Sequence, residues 1–582
     1  MEGLERVKEG AAEVVFESGN VFYNEVQIKN RDLSTLVLNE YSIQLRREGH
    51  EQIRRHEAKE PWRKLPPTWD TWGDELTQTD DQVDMDGMRV LEALSASGLR
   101  SVRYIKEVTE GVGIEHILVN DLEPHAVEAI NRNLAHNGLT ADPRIEGNVG
   151  DANEVMFNHR FDALDHCFMT KVKSLKPQKE LSTNVPFDII DLDPYGSPSI
   201  FIDGALQSIR DGGLLCVTAT DLSALCGKNQ EVCFARYGAF PLQSIGKYPH
   251  EMAIRILLGS IDGTAAKYGK FIVPILSVHF DFYIRVFIRV YSNKNEVKAV
   301  SAKSGLVMQS RGCDSFYIQP RGFIKPSPKN VTNMSLKIAG LQVPSECVET
   351  GADLAIGGPI WIYPIHNMPF VNNLLGHFKK PCAKGFDASK LGANALVEGK
   401  LAAIADELVA VPLFYSLPSM CKKLHCTMPK MADFQSAIIN AGYQVSATQS
   451  DPNGVKTDAT PAILWDILRC WVKKHPVVPQ PGSVAEKILS VEPELKADFS
   501  WPKEIRNKHY AKKNATEKVI SKFAKNPKPN WGPKPAASGS SGRQTHKRNN
   551  KRNNDDDISH PTSSKRIHTE SAETPLESAK KE

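Results

Sequence analysis

From Met88 onward, short apolar runs alternate with stretches of helical periodicity, and this alternation limits the fold more than any other feature. Met88–Leu94 reads as a strand, and a turn at Gly98 leads into a helix over Leu99–Val108. His116–Val119 reads as a second strand. The helix after it, Pro124–His136, repeats Val127, Ile130 and Leu134 at helical spacing. Pro124 sits near the first turn, where a missing N–H costs nothing, and Gly138 lies just past the end. Ile145–Gly150, Phe187–Leu192 and Leu214–Thr218 continue the strand series, with a helix over Phe201–Ser208. Ile272–Val278 and Phe282–Tyr291 are rich in β-branched and aromatic residues and read as a closing antiparallel pair, with Asp281 near the turn. Strands alternating with helices imply a parallel sheet covered on both faces, an α/β fold.

A chain of 582 residues is too long for one core and implies two or three domains. Residues 1–292 hold the alternation, with a polar, charged excursion over about 41–87 that contains Pro61, Pro66 and Pro67. Residues 293–495 read as a second, α+β domain. Short strand candidates and Gly/Pro-rich loops come first, then helices over Ala395–Val409, Met431–Ala441 and Ala459–Trp471. Residues 496–582 read as a basic, largely disordered tail. Between Lys503 and Arg552 there are fifteen Lys and Arg against two acids, Glu504 and Glu517, and few large apolar residues to bury. Such a segment suits a polyanion, although a merely solvated tail has the same composition.

Ten cysteines at irregular spacing, with no secretory signal, point to a reducing compartment without a disulfide framework. No run of about 18 apolar residues occurs, so no membrane span is expected. The N-terminal MEGLERVKEG is too acidic for a convincing mitochondrial presequence. The basic pairs Lys547-Arg548, Lys551-Arg552 and Lys565-Arg566 suit nuclear import, a common pattern by chance, and a mitochondrial pool stays open.

In open α/β sheets ligands bind outside the carboxyl ends of the strands. After the first strand comes Glu92-Ala-Leu-Ser-Ala-Ser-Gly98-Leu-Arg100, whose small residues let the backbone approach a ligand. After the second comes Asn120-Asp121, where an acid can accept both ribose hydroxyls of an adenosine. After the third comes Gly150-Asp151-Ala152, where Asp151 can accept from an adenine amine and Ala152 leaves room for the ring. Singly, Asp121 and Asp151 read equally well as helix N-caps. Together, at three successive strand ends, they point to a nucleoside cofactor. The loop lacks the glycines that admit a pyrophosphate, which favours S-adenosylmethionine over NAD.

After the fourth strand comes Asp191-Leu192-Asp193-Pro194-Tyr195-Gly196. It resembles the (N/D)-P-P-(F/Y) signature of methyltransferases acting on exocyclic base amines. Such an amine has its lone pair delocalised into the ring. A carboxylate and a main-chain carbonyl that accept both N–H protons draw the nitrogen toward sp³ and aim the lone pair at the methyl. Proline fixes the turn, and the aromatic supplies a platform for the base. Asp193 can also take the proton released after transfer. Outside this context, Asp-Pro-Tyr-Gly is an ordinary β-turn.

With Val21-Phe22-Tyr23-Asn24, Asn30-Arg31-Asp32, Ser95–Arg100, Thr220-Asp221-Leu222, Lys456-Thr457-Asp458-Ala459 and Asn530–Lys534, the sequence resembles the tRNA (guanine-26 N2)-dimethyltransferase family from about residue 7 to 534. The resemblance implies a Rossmann-like class I S-adenosylmethionine-dependent methyltransferase domain. It also implies one or two methyl transfers to N2 of guanine 26 in tRNA. On that resemblance, Arg31, Arg100, Asp121, Asp151 and Ala152 bind the cofactor, Asp193 is the acid-base residue, and Phe22 and Tyr195 sandwich the guanine. The chain is expected to act on tRNA as a monomer. Alternatives are an amine methyltransferase for DNA or protein glutamine, and an RNA-folding factor.

One departure stands out. Many members of that family carry two Cys-x-x-Cys pairs, as in a structural zinc site. Here the matching stretches read Ser310-Arg311-Gly312-Cys313 and Cys347-Val348-Glu349-Thr350, so no metal is expected. Cys421 and Cys426, flanking His425, read as incidental.

Overall fold

The alternation of strands and helices builds one seven-stranded sheet in the computed structural model. Residues 4–17, 23–58, 84–160, 171–175, 185–242, 246–327, 330–380, 385–507 and 520–523 are described. The chain divides into two units, Met1–Ala536 and Ala537–Glu582, and every described residue belongs to the first.

A hairpin of β1 (Leu4–Glu9) and β2 (Ala12–Glu17) precedes the long helix α1 (Ile28–Glu57). Then come β3 (Met88–Glu92), α2 (Leu99–Glu107), β4 (Ile114–Asp121), α3 (Pro124–His136), β5 (Ile145–Val149), α4 (Ala152–Asn158), β6 (Phe187–Leu192), α5 (Ile202–Ser208) and β7 (Ile209–Ala219). The helices α6 (Leu222–Leu225), α7 (Gln230–Tyr237) and α8 (Pro249–Lys267) lead to the hairpin β8 (Lys270–Phe280) and β9 (Tyr283–Ser292). The strand order is β5-β4-β3-β6-β7-β9-β8. β3 to β7 run parallel, while β9 is antiparallel to both β7 and β8. The chain winds outward from β3 to β5, then returns to β6 on the other side of β3. That reversal opens a crevice at the carboxyl ends of β3 and β6, where ligands of such sheets bind.

The core explains why these segments are strands. Phe187, Ile189, Ile190 and Leu192 of β6 are 0–1% exposed, each contributing about 1.5–3 kcal/mol by leaving water. Two acids interrupt that run, and both are paired. Asp188 meets Lys171 at 2.8 Å and Arg210 at 2.7 Å, and accepts the Arg89 N–H at 2.8 Å. Asp191 belongs to the site.

Two long helices depart from the sequence expectation. The excursion expected over 41–87 begins as the second half of α1, which runs to Glu57; residues 59–83 lie outside the described residues. The N-terminal half of α1 is buried on nearly all sides, polar groups included, so no polar face marks a helical period. Several of its buried polar groups find partners: Glu40 accepts from Asn373 and meets the His377 ring nitrogen, both at 2.9 Å. Asn39 donates to the main-chain oxygens of Thr35 and Glu107. The other helix, α8, is similarly enclosed from Met252 to Leu258 and was not expected from the sequence.

Beyond residue 292 come α9 (Lys294–Val297), β10 (Ser304–Ser310), β11 (Phe316–Pro320), β12 (Gly322–Ser327), β13 (Asn330–Ile338) and β14 (Leu354–Trp361). They form an antiparallel sheet β11-β10-β14 and a separate ribbon, β12-β13. The expected helices then appear at Asn394–Ala405, Met431–Asn440 and Pro461–Lys474. One core cluster runs across residue 292, from Leu91 to Ile488. Lys456 ties the two parts together by pairing with Glu251 of α8 at 3.0 Å and with Glu407 at 2.9 Å, all three buried. The start of the expected tail is packed: Asn440 donates to the main-chain oxygens of Asp498 and Ser500 at 2.9 Å, and the Trp501 indole donates to Asp433 at 2.7 Å. Residues 508–519 and 524–582 of that tail lie outside the described residues.

Candidate active site

The strand ends that the sequence singled out converge in the crevice. Ala96, at φ 51°, and Gly98, at φ 71°, bend the loop after β3 back over the sheet. The Ala96 N–H donates to Asp121 Oδ2 at 2.8 Å, and the Glu123 N–H donates to Oδ1 at 3.1 Å. Asn120 clips three strand ends together. Its Nδ2 donates to the oxygens of Ala93 and Gly150, each at 3.0 Å, while Oδ1 accepts from Asn148 at 2.6 Å. Asp151 is the N-cap of α4, with Oδ1 accepting from the N–H groups of Asn153 at 2.8 Å and Glu154 at 3.2 Å. The cap uses one oxygen and leaves Oδ2 to accept from a ligand. Ala152 beside it is buried.

Asp193 stands just past β6. Its carboxylate forms an ion pair with Arg100 and accepts from Asn30 Nδ2 at 3.3 Å. Arg100 is buried, and it also reaches Asn30 Oδ1 at 3.3 Å, Ser34 Oγ at 3.1 Å, and Asp191 and Glu92 at 3.5 Å. Asp191 lies beneath, holding Arg285 at 2.9 Å and the Tyr104 hydroxyl at 2.7 Å. Burial pushes the Asp191 carboxyl up, but the guanidinium groups of Arg285 and Arg100 outweigh it and hold it below the usual range. Glu92 goes the other way. Burial, with Asp191 and Asp193 adding to it, lifts its carboxyl to about 7 against the opposing pull of Arg100.

The Asp-Pro-Tyr-Gly turn is pinned from outside. Gly196 takes φ 90°, a conformation L side chains avoid. Its N–H donates to Thr220 Oγ1 at 2.7 Å, and its oxygen accepts the Thr220 N–H at 2.9 Å. Ser197 Oγ shares a 2.7 Å hydrogen bond with the Tyr237 hydroxyl. Tyr237 and Arg236 of α7 both donate to Asp221 at 2.9 Å. Tyr195 is left 63% exposed, a flat ring at the mouth.

A family model described as N2,N2-dimethylguanosine tRNA methyltransferase matches residues 3–168 and 174–469. The chain belongs to this family. Among relatives of this dimethylguanosine methyltransferase family, tRNA (guanine(26)-N(2))-dimethyltransferase 1 of Arabidopsis thaliana is 41% identical, covering 91% of this chain and 87% of its own length. The tRNA (guanine(26)-N(2))-dimethyltransferase of Drosophila melanogaster is 39% identical over 90% of this chain and 86% of its own. Among solved structures, Trm1 from Pyrococcus horikoshii in complex with S-adenosyl-L-methionine matches with a TM-score of 0.54 and 25% identity, covering 79% of this chain and 98% of that one.

Most of the residues expected at the family's site come together in the crevice. Arg100 and Asp193 are in contact, Tyr195 follows Asp193 in the same turn, and Asp121 and Asp151-Ala152 follow the strands on the other side of β3. Arg31, next to Asn30 on α1, is buried and held by partners of its own: it donates to Glu9 at 2.7 and 2.5 Å and to the Asn24 oxygen at 3.2 Å. Phe22 lies outside the described residues. Tyr104 and Arg285 carry no spacing signal in the sequence. Asn30 stands in Asn-Arg-Asp, and Glu92 heads the segment after the first strand, but neither is given a role by the sequence alone.

The residues present fit S-adenosylmethionine. They offer acids for ribose and adenine at two strand ends, a buried alanine where a ring needs room, and a small-residue loop. In the second half, Cys313 and Cys347 Sγ lie 3.5 Å apart, with Ser315 Oγ 3.2 Å and Ser310 Oγ 3.6 Å from Cys313 Sγ. Among the described residues, no group of three or more His, Cys, Asp or Glu is arranged to hold a metal.

Proposed function

We propose that this chain is an S-adenosylmethionine-dependent tRNA methyltransferase that methylates the exocyclic N2 amine of guanine 26. The observation that carries the mechanism is the Asp193 carboxylate, held between Arg100 and Asn30 at the carboxyl end of β6, beside the reversal in strand order. Bound S-adenosylmethionine supplies an electrophilic sulfonium methyl. Asp121 and Asp151 orient the nucleoside half, Ala152 makes room for the ring, and Arg31 and Arg100 serve the amino-acid end. Phe22 and Tyr195 hold the guanine between them. Asp193 accepts an N–H of the amine, a main-chain carbonyl of the turn accepts the other, and the lone pair turns toward the methyl. As the N–C bond forms, the S–CH3 bond would break with its electron pair left on sulfur; Asp193 takes the surplus proton and, after losing it to solvent, would serve a second round on a fresh cofactor that gives the dimethylated base.

Residues 1–292 carry the transfer and 293–495 contact tRNA. The basic clusters after Arg543 support a nuclear location, and the acting species is a monomer. The test is radiolabelled methyl transfer to a tRNA transcript with guanine or adenine at position 26. Transfer to the guanine transcript alone supports the reading. Asp193→Ala lowers turnover by about 10²–10⁴-fold while cofactor affinity stays near wild type; full turnover in that variant refutes the mechanism.

A further inference from the structure

The β12-β13 ribbon has two unlike faces. Its register sets Phe323 opposite Lys337 and Lys325 opposite Ser335. Side chains alternate across a strand, so Phe323, Lys325, Ser335 and Lys337 share one face. Gly322, Ile324, Leu336 and Ile338 share the other. Lys325 Nζ lies 5.9 Å from the centroid of the Phe323 ring, which is 41% exposed, and both lysines are exposed.

The charge is one-sided as well. Between Asp314 and Glu346 the sequence has no acid but carries Arg321, Lys325, Lys329 and Lys337. The two strands pair only with each other among the described residues, and a lone hairpin is marginal in water. This one is anchored at its base. The Arg321 N–H donates to the Ser304 oxygen at 3.0 Å, and Gln319 Nε2 donates to the Gly340 oxygen at 3.0 Å. The anchoring leaves the Phe-Lys-Lys face open. The base shares a cleft with α7, the helix that braces the active-site turn. Arg321 and Lys303 line a cleft of about 180 Å³ together with Tyr237, whose hydroxyl holds Ser197.

We propose that the Phe323-Lys325-Lys337 face binds the sugar–phosphate strand of tRNA at a point away from the target guanine. Exposed cations beside an aromatic ring are how proteins hold nucleic-acid strands: the cations meet phosphates and the ring stacks on an unpaired base. The shared cleft puts this face within reach of an RNA whose guanine sits at Asp193. The inference rests on the tRNA reading above.

The test uses the full chain. Dissociation constants for tRNA are measured over a salt series, with kcat and KM at saturating cofactor and S-adenosylmethionine affinity as the control for fold. Lys325→Gln/Lys337→Gln is expected to lower the slope of log Kd against log salt by about 1.5 and to raise KM, with kcat within about twofold of wild type. Phe323→Ala is expected to weaken tRNA binding about tenfold, and Phe323→Trp to keep it. If wild type fails to methylate guanine-26 transcripts, the functional reading falls. If wild type methylates them while both variants keep its Kd and salt slope, the ribbon proposal alone falls, and a protein partner for the apolar Ile324-Leu336-Ile338 face becomes the better account.

Discussion

Glu92 ends β3 with its carboxyl buried against Arg100 and the Ser101 hydroxyl. Its folded-state value, about 7, lies above the ordinary 4.5, so the folded protein holds a proton there that the unfolded chain releases. The sign follows. The stabilisation is fully present below about pH 4.5 and is lost as pH rises to about 7, an effect of order 3 kcal/mol. Glu92→Gln mimics the protonated form. Urea midpoints measured from pH 5 to 8 should fall with rising pH in wild type and fall less in the variant; parallel curves would place the titration elsewhere. Asp188 is the opposite case, a charge kept ionised by Lys171 and Arg210 at 2.8 and 2.7 Å. Asp188→Ala strands both cations and is expected to cost about 3–5 kcal/mol by chemical denaturation. Asp121 and Asp193 are legible in the sequence because each follows an apolar run at a strand end, and Asp151 because it sits at the next strand end in the same alternation. Arg285 and Tyr104, which hold Asp191, are not. They lie 94 and 87 residues from it, and only the strand order brings them together.

At the scale of elements, the active-site turn is a loop whose shape is fixed by its neighbours. Thr220 grips Gly196 through two bonds, and α7 grips Ser197 through Tyr237, which in turn leans on the buried Asp221. Tyr237→Phe removes one hydroxyl that serves both Ser197 and Asp221. It leaves Asp221 with fewer donors, which costs about 1–3 kcal/mol. It also frees the far side of the turn. A fall in kcat of about tenfold or more, with cofactor affinity intact, is expected from kinetics and calorimetry, because positioning carries most of the rate. An equal fall in cofactor affinity would mean instead that the whole crevice has moved. Most of the βα elements that build this crevice are legible, the strands as apolar runs and α3 by its helical period, whereas the short α4 is not. Pro124–His136 is read to the residue. α1 is not legible as a helix: it buries Ser34, Thr35, Asn39 and Glu40 along with its leucines, and a helix enclosed on all sides has no polar face to reveal it.

For the whole molecule the question is how an RNA enzyme with a net charge of only +3 attracts a polyanion. The fifteen basic residues and two acids between Lys503 and Arg552 leave the rest of the chain about ten charges negative. A long-range field attracting tRNA is therefore expected from this segment, with local help proposed for surfaces such as the β12-β13 ribbon. After Arg552 the balance reverses, with Asp555, Asp556 and Asp557 leading a stretch richer in acids than in bases. Two truncations separate these contributions. Ending the chain after Lys534 removes Arg543, Lys547, Arg548, Lys551 and Arg552. It should weaken tRNA binding and flatten its salt dependence, by about 0.7–0.9 in slope for each phosphate that these side chains no longer neutralise. Ending it after Arg552 removes the acidic stretch and keeps the basic one, so binding should match or exceed wild type with the salt slope retained. If both truncations bind tRNA with the wild-type slope, the basic residues beyond Lys534 act only as a solubilising tail, and the attraction must come from residues 1–534.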